Sequence, residues 1–270
     1  NLATIVDPVY ASTGPFEGSS VLIATYAFAI QIYCDFAGYS FMAIGLAAAM
    51  GIDLMENFRR PYFSHSIADF WRRWHISLSS WFRDYFFTPL YIHLGNKKLL
   101  KGYSVRTRHA IAFFATLLFT EYLLGFWHGA GWNYGLFGLY HALAIWIYYY
   151  TRKYWDRMNT YVQIILTFHI VCGGWLVFRA ATLGQAMDMF GGVFTNFSIA
   201  SNPQFYESLQ KLLAYSSVLL IVQLFQERHQ DTLIVLAWPR YVRYAFFALL
   251  GSLIVVFGDF GGRPFIYFQF

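Results

Sequence analysis

The stretch AIAFFATLLFTEYLLGFWHGAGWNYGLFGLYHALAIWIYYY, from Ala110 to Tyr150, decides the fold. It holds two apolar runs, Ala110–Trp127 and Trp132–Tyr150, each close to the ~20 residues that a helix needs to cross a bilayer. Only His128-Gly129-Ala130-Gly131 divides them, and Glu121 is the single charged residue. The stretch reads as two membrane spans joined by a tight turn that carries a histidine.

The composition of the 270 residues extends this reading to the whole chain: 58% are hydrophobic, 22% aromatic and 12% charged. A soluble domain carries about twice that share of charge, and the mean hydropathy is +0.43. The expected fold is all-α and polytopic, a single membrane domain over 1–270 with about six spanning helices. Tyr161–Phe178, Leu212–Phe225 and Tyr244–Phe257 supply three more candidates, and Val21–Ile52 the last. As one helix that last run would measure about 48 Å against a ~30 Å hydrocarbon core. It should break near Gly38, tilt strongly, or leave the bilayer in part.

The net charge of +5 does not point to nucleic acid, because the basic residues form no polar domain. They sit in short runs between apolar stretches, as loops against anionic lipid do: Lys97-Lys98, Lys101, Arg106 and Arg108; Arg152-Lys153 and Arg157; Arg240 and Arg243. Cys34 and Cys172 lie in apolar runs and read as buried free thiols rather than a disulfide. No C-x-x-C or other zinc spacing occurs, so no metal is expected. The chain opens at Asn1 without an initiator Met or signal-peptide pattern, and polar residues precede Val21. The expectation is a fragment or processed chain, with tunnel-walling helices upstream and little activity alone.

Residues 53–95 mix Arg, Asp, Trp, Phe and His in a way that suits neither a lipid-facing span nor a solvated loop. They are expected to form re-entrant or interfacial helices around a central tunnel. Ser66-Ile67-Ala68-Asp69 fits a helix start, with Asp69 and Arg73 able to pair one turn apart. In the helix that follows, Trp71, Trp74, His75 and Leu78 would share a face. Pro89 should end or kink the next turn. Residues 182–210, with Gly191-Gly192, Asn202 and Pro203, read as an extramembrane loop with a short helix.

Ionisable groups withdrawn into such apolar sequence tend to mark pathways or reaction centres. His128 can serve as a neutral general base between two glycines that let a substrate approach, or as a structural histidine bonded to a backbone carbonyl at a helix break. His75 can line a tunnel, with Arg72 or Arg73 holding an anionic donor head group, or anchor at the interface with the tryptophans around it. His141 can steady His128 or line the tunnel, and otherwise reads as a satisfied core histidine, as does His169. His65, His93, His109 and His229 are ordinary. Asp35 needs a partner at membrane depth, for which an arginine of the central block is the natural choice; Arg83, Asp84 and Glu121 are expected to act structurally too. Neither a G-x-S-x-G elbow nor a phosphate-binding glycine loop occurs.

Several long runs resemble the membrane-bound O-acyltransferase (MBOAT) family: Gln31–Ser40, Glu56–Tyr62, Phe70–Tyr85, Phe126–Trp132 and Gly138–His141. They resemble in particular the bacterial branch of alginate O-acetyltransferases and the D-alanyl transfer protein of teichoic acid synthesis. Gly174–Ala180 and Phe265–Phe270 favour the alginate-type subgroup. The resemblance implies longer chains with upstream helices. It places the family's invariant histidine at His128 and its second at His75, with Trp71, Arg72, Arg73, Trp74, Trp127 and His141 around the tunnel. It further implies transfer of an acetyl or other acyl group across the bacterial cytoplasmic (inner) membrane, with no bound cofactor. The donor would be a thioester of coenzyme A or an acyl carrier protein. The acceptor would be a hydroxyl of an exported polysaccharide or teichoic acid, reached directly or through a periplasmic partner enzyme. The competing readings are a transporter or channel with a His/Asp proton relay, and a non-catalytic scaffold of a polymer-export complex.

Overall fold

A computed structural model describes residues 1–96, 100, 102–199, 202–258 and 261. Lys97, Lys98 and Lys101 of the first basic run, and the closing Phe265–Phe270 run, lie outside the described residues. In chain order the helices are α1 (Ala3–Tyr10), α2 (Gly18–Ala49), α3 (Ile67–Arg73), α4 (Ile76–Phe82), α5 (Thr88–Gly95) and α6 (Val105–Trp127). There follow α7 (Trp132–Trp155), α8 (Thr160–Arg179), α9 (Leu183–Thr195), α10 (Pro203–His229) and α11 (Arg240–Phe257). Among the described residues the sole β pairing is an isolated antiparallel bridge between Phe58 and Trp74. Among the described residues five helices, α2, α6, α8, α10 and α11, are long and apolar enough to cross a membrane. The sixth expected span, Trp132–Tyr150, is helical as α7 but is not among these five; Asn133, His141 and its tyrosines lower its hydropathy.

The chain divides into two compact units, Asn1–Gly38 with Asp188–Phe270, and Tyr39–Met187. In the first unit, Glu17 closes the start of α2. Its carboxylate accepts from the Ser19, Ser20 and Ser198 amides at 3.0, 2.8 and 2.9 Å, and from Asn202 Nδ2 at 2.8 Å. Burial opposes the charge, but the backbone N–H groups of Ser198, Ser19 and Ser20 prevail and draw the carboxyl down to about 2. Farther along α2, the Tyr33 hydroxyl accepts from Gln223 Nε2 of α10 at 2.6 Å. Helix α9 and the start of α10 together occupy most of the expected 182–210 loop, with Pro203 opening α10.

In the second unit the α6–α7 hairpin forms as the sequence suggests, and glycine sets how closely its helices approach. A Cβ on Gly138 would fall on the Glu121 carbonyl oxygen, and one on Gly125 on that of Tyr134. The two backbones therefore touch, as small residues permit between membrane helices. Onto α7 and α8 packs a column of rings: Phe70 stacks on Trp74 at 5.6 Å, Trp74 meets Trp175 at 4.9 Å, and Trp175 stacks on Phe137 at 5.6 Å. Such pairs each add about 0.5–1.5 kcal/mol beyond the area they bury.

Four local expectations are revised. Helix α2 runs unbroken through Gly38, where the added Cβ would meet nothing within 4 Å; no packing requirement bends it there. Helix α3 stops at Arg73, Trp74 is extended, and α4 begins at Ile76, so Trp71, Trp74, His75 and Leu78 do not share one helical face. Pro89 does not end a helix but opens α5, directly after a π-helical turn at Arg83–Phe87. Proline lacks an N–H and crowds the carbonyl four residues before it, which widens the preceding turn. Cys34 is exposed, whereas Cys172 is buried as expected, and both are free thiols.

Candidate active site

The centre assembles within the second unit from two chain reversals. The first is the α6–α7 junction. His128 caps α6, its N–H bonding the Gly125 carbonyl at 3.0 Å. Gly129 and Gly131 are needed here for space, not for a positive φ: a Cβ on Gly129 would meet the Tyr134 ring at 2.5 Å, and one on Gly131 the Asn133 side-chain oxygen. With the turn so compacted, the half-buried His128 ring is boxed edge-on by Trp127 at 5.0 Å, Phe178 at 5.2 Å and Phe137 at 6.3 Å.

The second reversal is His75 itself, between α3 and α4. Ser66 starts α3 as expected, its Oγ accepting from the Asp69 amide at 3.1 Å, and Asp69 pairs with Arg73 at 3.0 Å. After Trp74 the chain turns at His75 with φ 43° and ψ 55°, the left-handed region that few non-glycine residues enter. His75 is 6% exposed, and its ring lies 5.8 Å from Trp127. Trp127 thus touches both imidazoles, although their positions are far apart in sequence. Trp127 itself is 52% exposed.

Burial holds both imidazoles in the uncharged form. His75 is pushed down to about 3, by desolvation first and then by the nearby His128. Desolvation lowers His128 to about 4. Both rings are therefore neutral near pH 7 and able to accept a proton, the state a general base requires.

The remaining expected residues divide. His141 is fully buried, T-shaped to Phe137 at 4.6 Å and to Trp71 at 5.1 Å. Neither of its ring nitrogens has a hydrogen-bond partner among the described residues, so it is a core histidine but not a satisfied one. It stands one ring behind His128, through Phe137, and a Cβ on Gly174 would fall on its Nε2. Trp71 and Arg72 line a cavity of about 320 Å³ with Ser79, Ser80 and Glu121; His75, His128, Trp74 and Trp127 do not line it. Trp74 belongs to the aromatic column, and Arg73 is committed to Asp69. Arg83 and Asp84 pair bidentately at 2.8 and 3.1 Å, both more than half exposed, so water screens the pair and it adds little to stability. Asp35 lies on α2. His169 is not a core residue: it is exposed, its Nδ1 2.7 Å from the Ile165 carbonyl. Among the described residues, no three His, Cys, Asp or Glu side chains gather to hold a metal ion.

The pattern of the MBOAT, membrane-bound O-acyltransferase family matches residues 8–184, which include both reversals. The chain belongs to this family. Its relatives include a probable alginate O-acetylase of Pseudomonas putida, 41% identical over 198 residues, covering 72% of this chain and 37% of the relative. A teichoic acid D-alanyltransferase of Bacillus subtilis is 39% identical over 165 residues, 58% of this chain and 40% of that one. A peptidoglycan O-acetyltransferase of Helicobacter pylori is 34% identical over 175 residues, 63% and 31% respectively. The chain thus spans little more than a third of the length of the first of these relatives. As an MBOAT member with five helices apolar enough to cross a bilayer, it is a multi-pass membrane protein.

Sequence reasoning did not find Phe137 and Phe178, the walls of the His128 box, because apolar residues in a span carry no mark that separates a site wall from ordinary packing.

Proposed function

We propose that the full-length protein is a membrane O-acyltransferase that carries an acetyl or other acyl group from a cytoplasmic thioester to a hydroxyl of an exported cell-envelope polymer. The observation that carries this reading is the convergence of His128 and His75 on Trp127. The neutral His128 ring accepts the hydroxyl proton as that oxygen attacks the thioester carbonyl. The tetrahedral intermediate then expels the thiolate, which takes the proton back from the imidazolium. One C–O bond forms, one C–S bond breaks, and a free thiol leaves. A thioester is activated enough for positioning and a base to suffice. His75 polarises or lines the same space, and Arg72, exposed beside Trp71, meets the anionic part of the donor.

The donor is acetyl-coenzyme A or an acyl carrier protein thioester. The named relatives act on alginate, teichoic acid and peptidoglycan, so the acceptor is a polymer of that kind, reached directly or through a periplasmic partner, and the membrane is the bacterial inner membrane. The test uses the full-length protein in liposomes with labelled acetyl-coenzyme A on one side and deacetylated alginate on the other. Label is expected to appear in the alginate as an alkali-labile ester. Failure of the acyl label to leave either acetyl-coenzyme A or a carrier-bound donor, with alginate, teichoic acid or peptidoglycan present, would overturn the reading.

A further inference from the structure

Helix α4 begins without the residue a helix start ordinarily uses. Its N-cap position is His75, whose side chain makes no capping hydrogen bond. Serine, threonine, aspartate or asparagine is preferred there, because the first N–H groups of a helix have no intrahelical acceptor. In this chain the acceptor comes from a residue far outside the helix. The Asn57 backbone carbonyl accepts from the Ile76 amide at 3.1 Å. Asn57 Oδ1 accepts from the Ser77 amide at 3.1 Å and from the Ser77 hydroxyl at 2.9 Å.

The neighbouring backbone completes a clamp. The Arg59 amide donates to the Arg73 carbonyl at 2.9 Å, and Phe58 bridges Trp74 with their rings edge-on at 5.0 Å. Ser79 Oγ donates to the Trp74 carbonyl at 3.1 Å. Residues 57–59 and 73–79 thus pin both sides of the one residue between α3 and α4 that takes a positive φ. A left-handed histidine persists only where its surroundings over-determine it.

We propose that Asn57 is a positioning residue of the active site. It caps α4 from outside, so that the cap position holds a histidine whose imidazole faces Trp127 rather than the helix end. This rests on the reading of His75 as a site residue given above. Asn57 acts through backbone geometry: it fixes the direction of His75 and touches neither thioester nor acceptor.

The test compares Asn57→Leu and Asn57→Asp in the full-length protein, each in the natural background and in His75→Ala. Asn57→Leu removes the acceptor at similar volume, and a displaced catalytic group of this kind costs roughly 100-fold in kcat. KM for acetyl-coenzyme A should hardly move, because no donor contact is lost. Asn57→Asp keeps an oxygen acceptor, adds a charge that a helix N-terminus favours, and should recover most of kcat. In His75→Ala, Asn57→Leu should cost little further. If Asn57→Leu fails to fold, Asn57→Ser, whose shorter side chain cannot span to Ser77, takes its place in both backgrounds. A slow His75→Ala variant to which the Asn57 substitution adds its full loss would overturn the clamp alone, as would an Asn57→Asp variant as slow as Asn57→Leu. A His75→Ala variant of natural rate would instead remove the reading of His75 on which the clamp depends.

Discussion

Replacing His128 with alanine in the full-length chain is expected to lower acyl transfer about 1,000-fold, within the range that a positioned general base supplies. The fold should survive the change. The turn is held by the backbone bonds of His128 to Gly125 and of Gly129 to Phe126, neither of which needs the imidazole. The change also removes the edge-on packing against Trp127, Phe137 and Phe178, worth about 0.5–1.5 kcal/mol per ring pair. Ester formation from labelled acetyl-coenzyme A, read beside the melting temperature in detergent, separates the two effects. A well-folded variant that kept most of its activity would remove His128 from the chemistry.

A single methyl group at Gly138 should be as damaging by a different route. The Cβ of Gly138→Ala would land on the backbone oxygen of Glu121, and a backbone atom in the middle of a helix cannot swing aside as a side chain can. The α6–α7 pair must therefore separate, at a cost of about 3 kcal/mol. Phe137 would move with it, and the box around His128 would open. Gly251→Ala is the control, since nothing lies within 4 Å of the added methyl in α11. There the loss of a helical glycine should be neutral or stabilising by about 0.5–1 kcal/mol. Matching melting temperatures for Gly138→Ala and the natural chain would show that the helices do not meet through their backbones.

The α6–α7 hairpin was legible in the chain because span length and a glycine-flanked break are local signals. So was the start of α3, where Ser66 and Asp69 form a cap visible in four consecutive residues. The break at Trp74–His75 was not. Helical spacing runs straight through it, and what stops the helix is the pairing of Phe58 with Trp74, a contact between segments that no periodicity within either one reveals. For the same reason Asn57 looked like part of a motif rather than the cap of a helix about twenty residues on. Gly38, by contrast, looked like a break, but a glycine in an otherwise apolar run permits one without compelling it, and the helical run of α2 continues through it. His128 and His75 were each ambiguous alone, and the contact of both with Trp127, invisible in the sequence, is what brings them together in the proposed site.

The central claim is that these two histidines form a single reaction centre, and a double-mutant cycle tests it most directly. Initial rates of labelled acetyl transfer into alginate would be measured in liposomes for the natural full-length chain, His128→Ala, His75→Ala and the pair together. Groups that act as a unit are strongly non-additive, so the double variant should be no slower than the slower single one. Losses that multiply across the pair, or a His75→Ala variant indistinguishable from the natural chain, would contradict it.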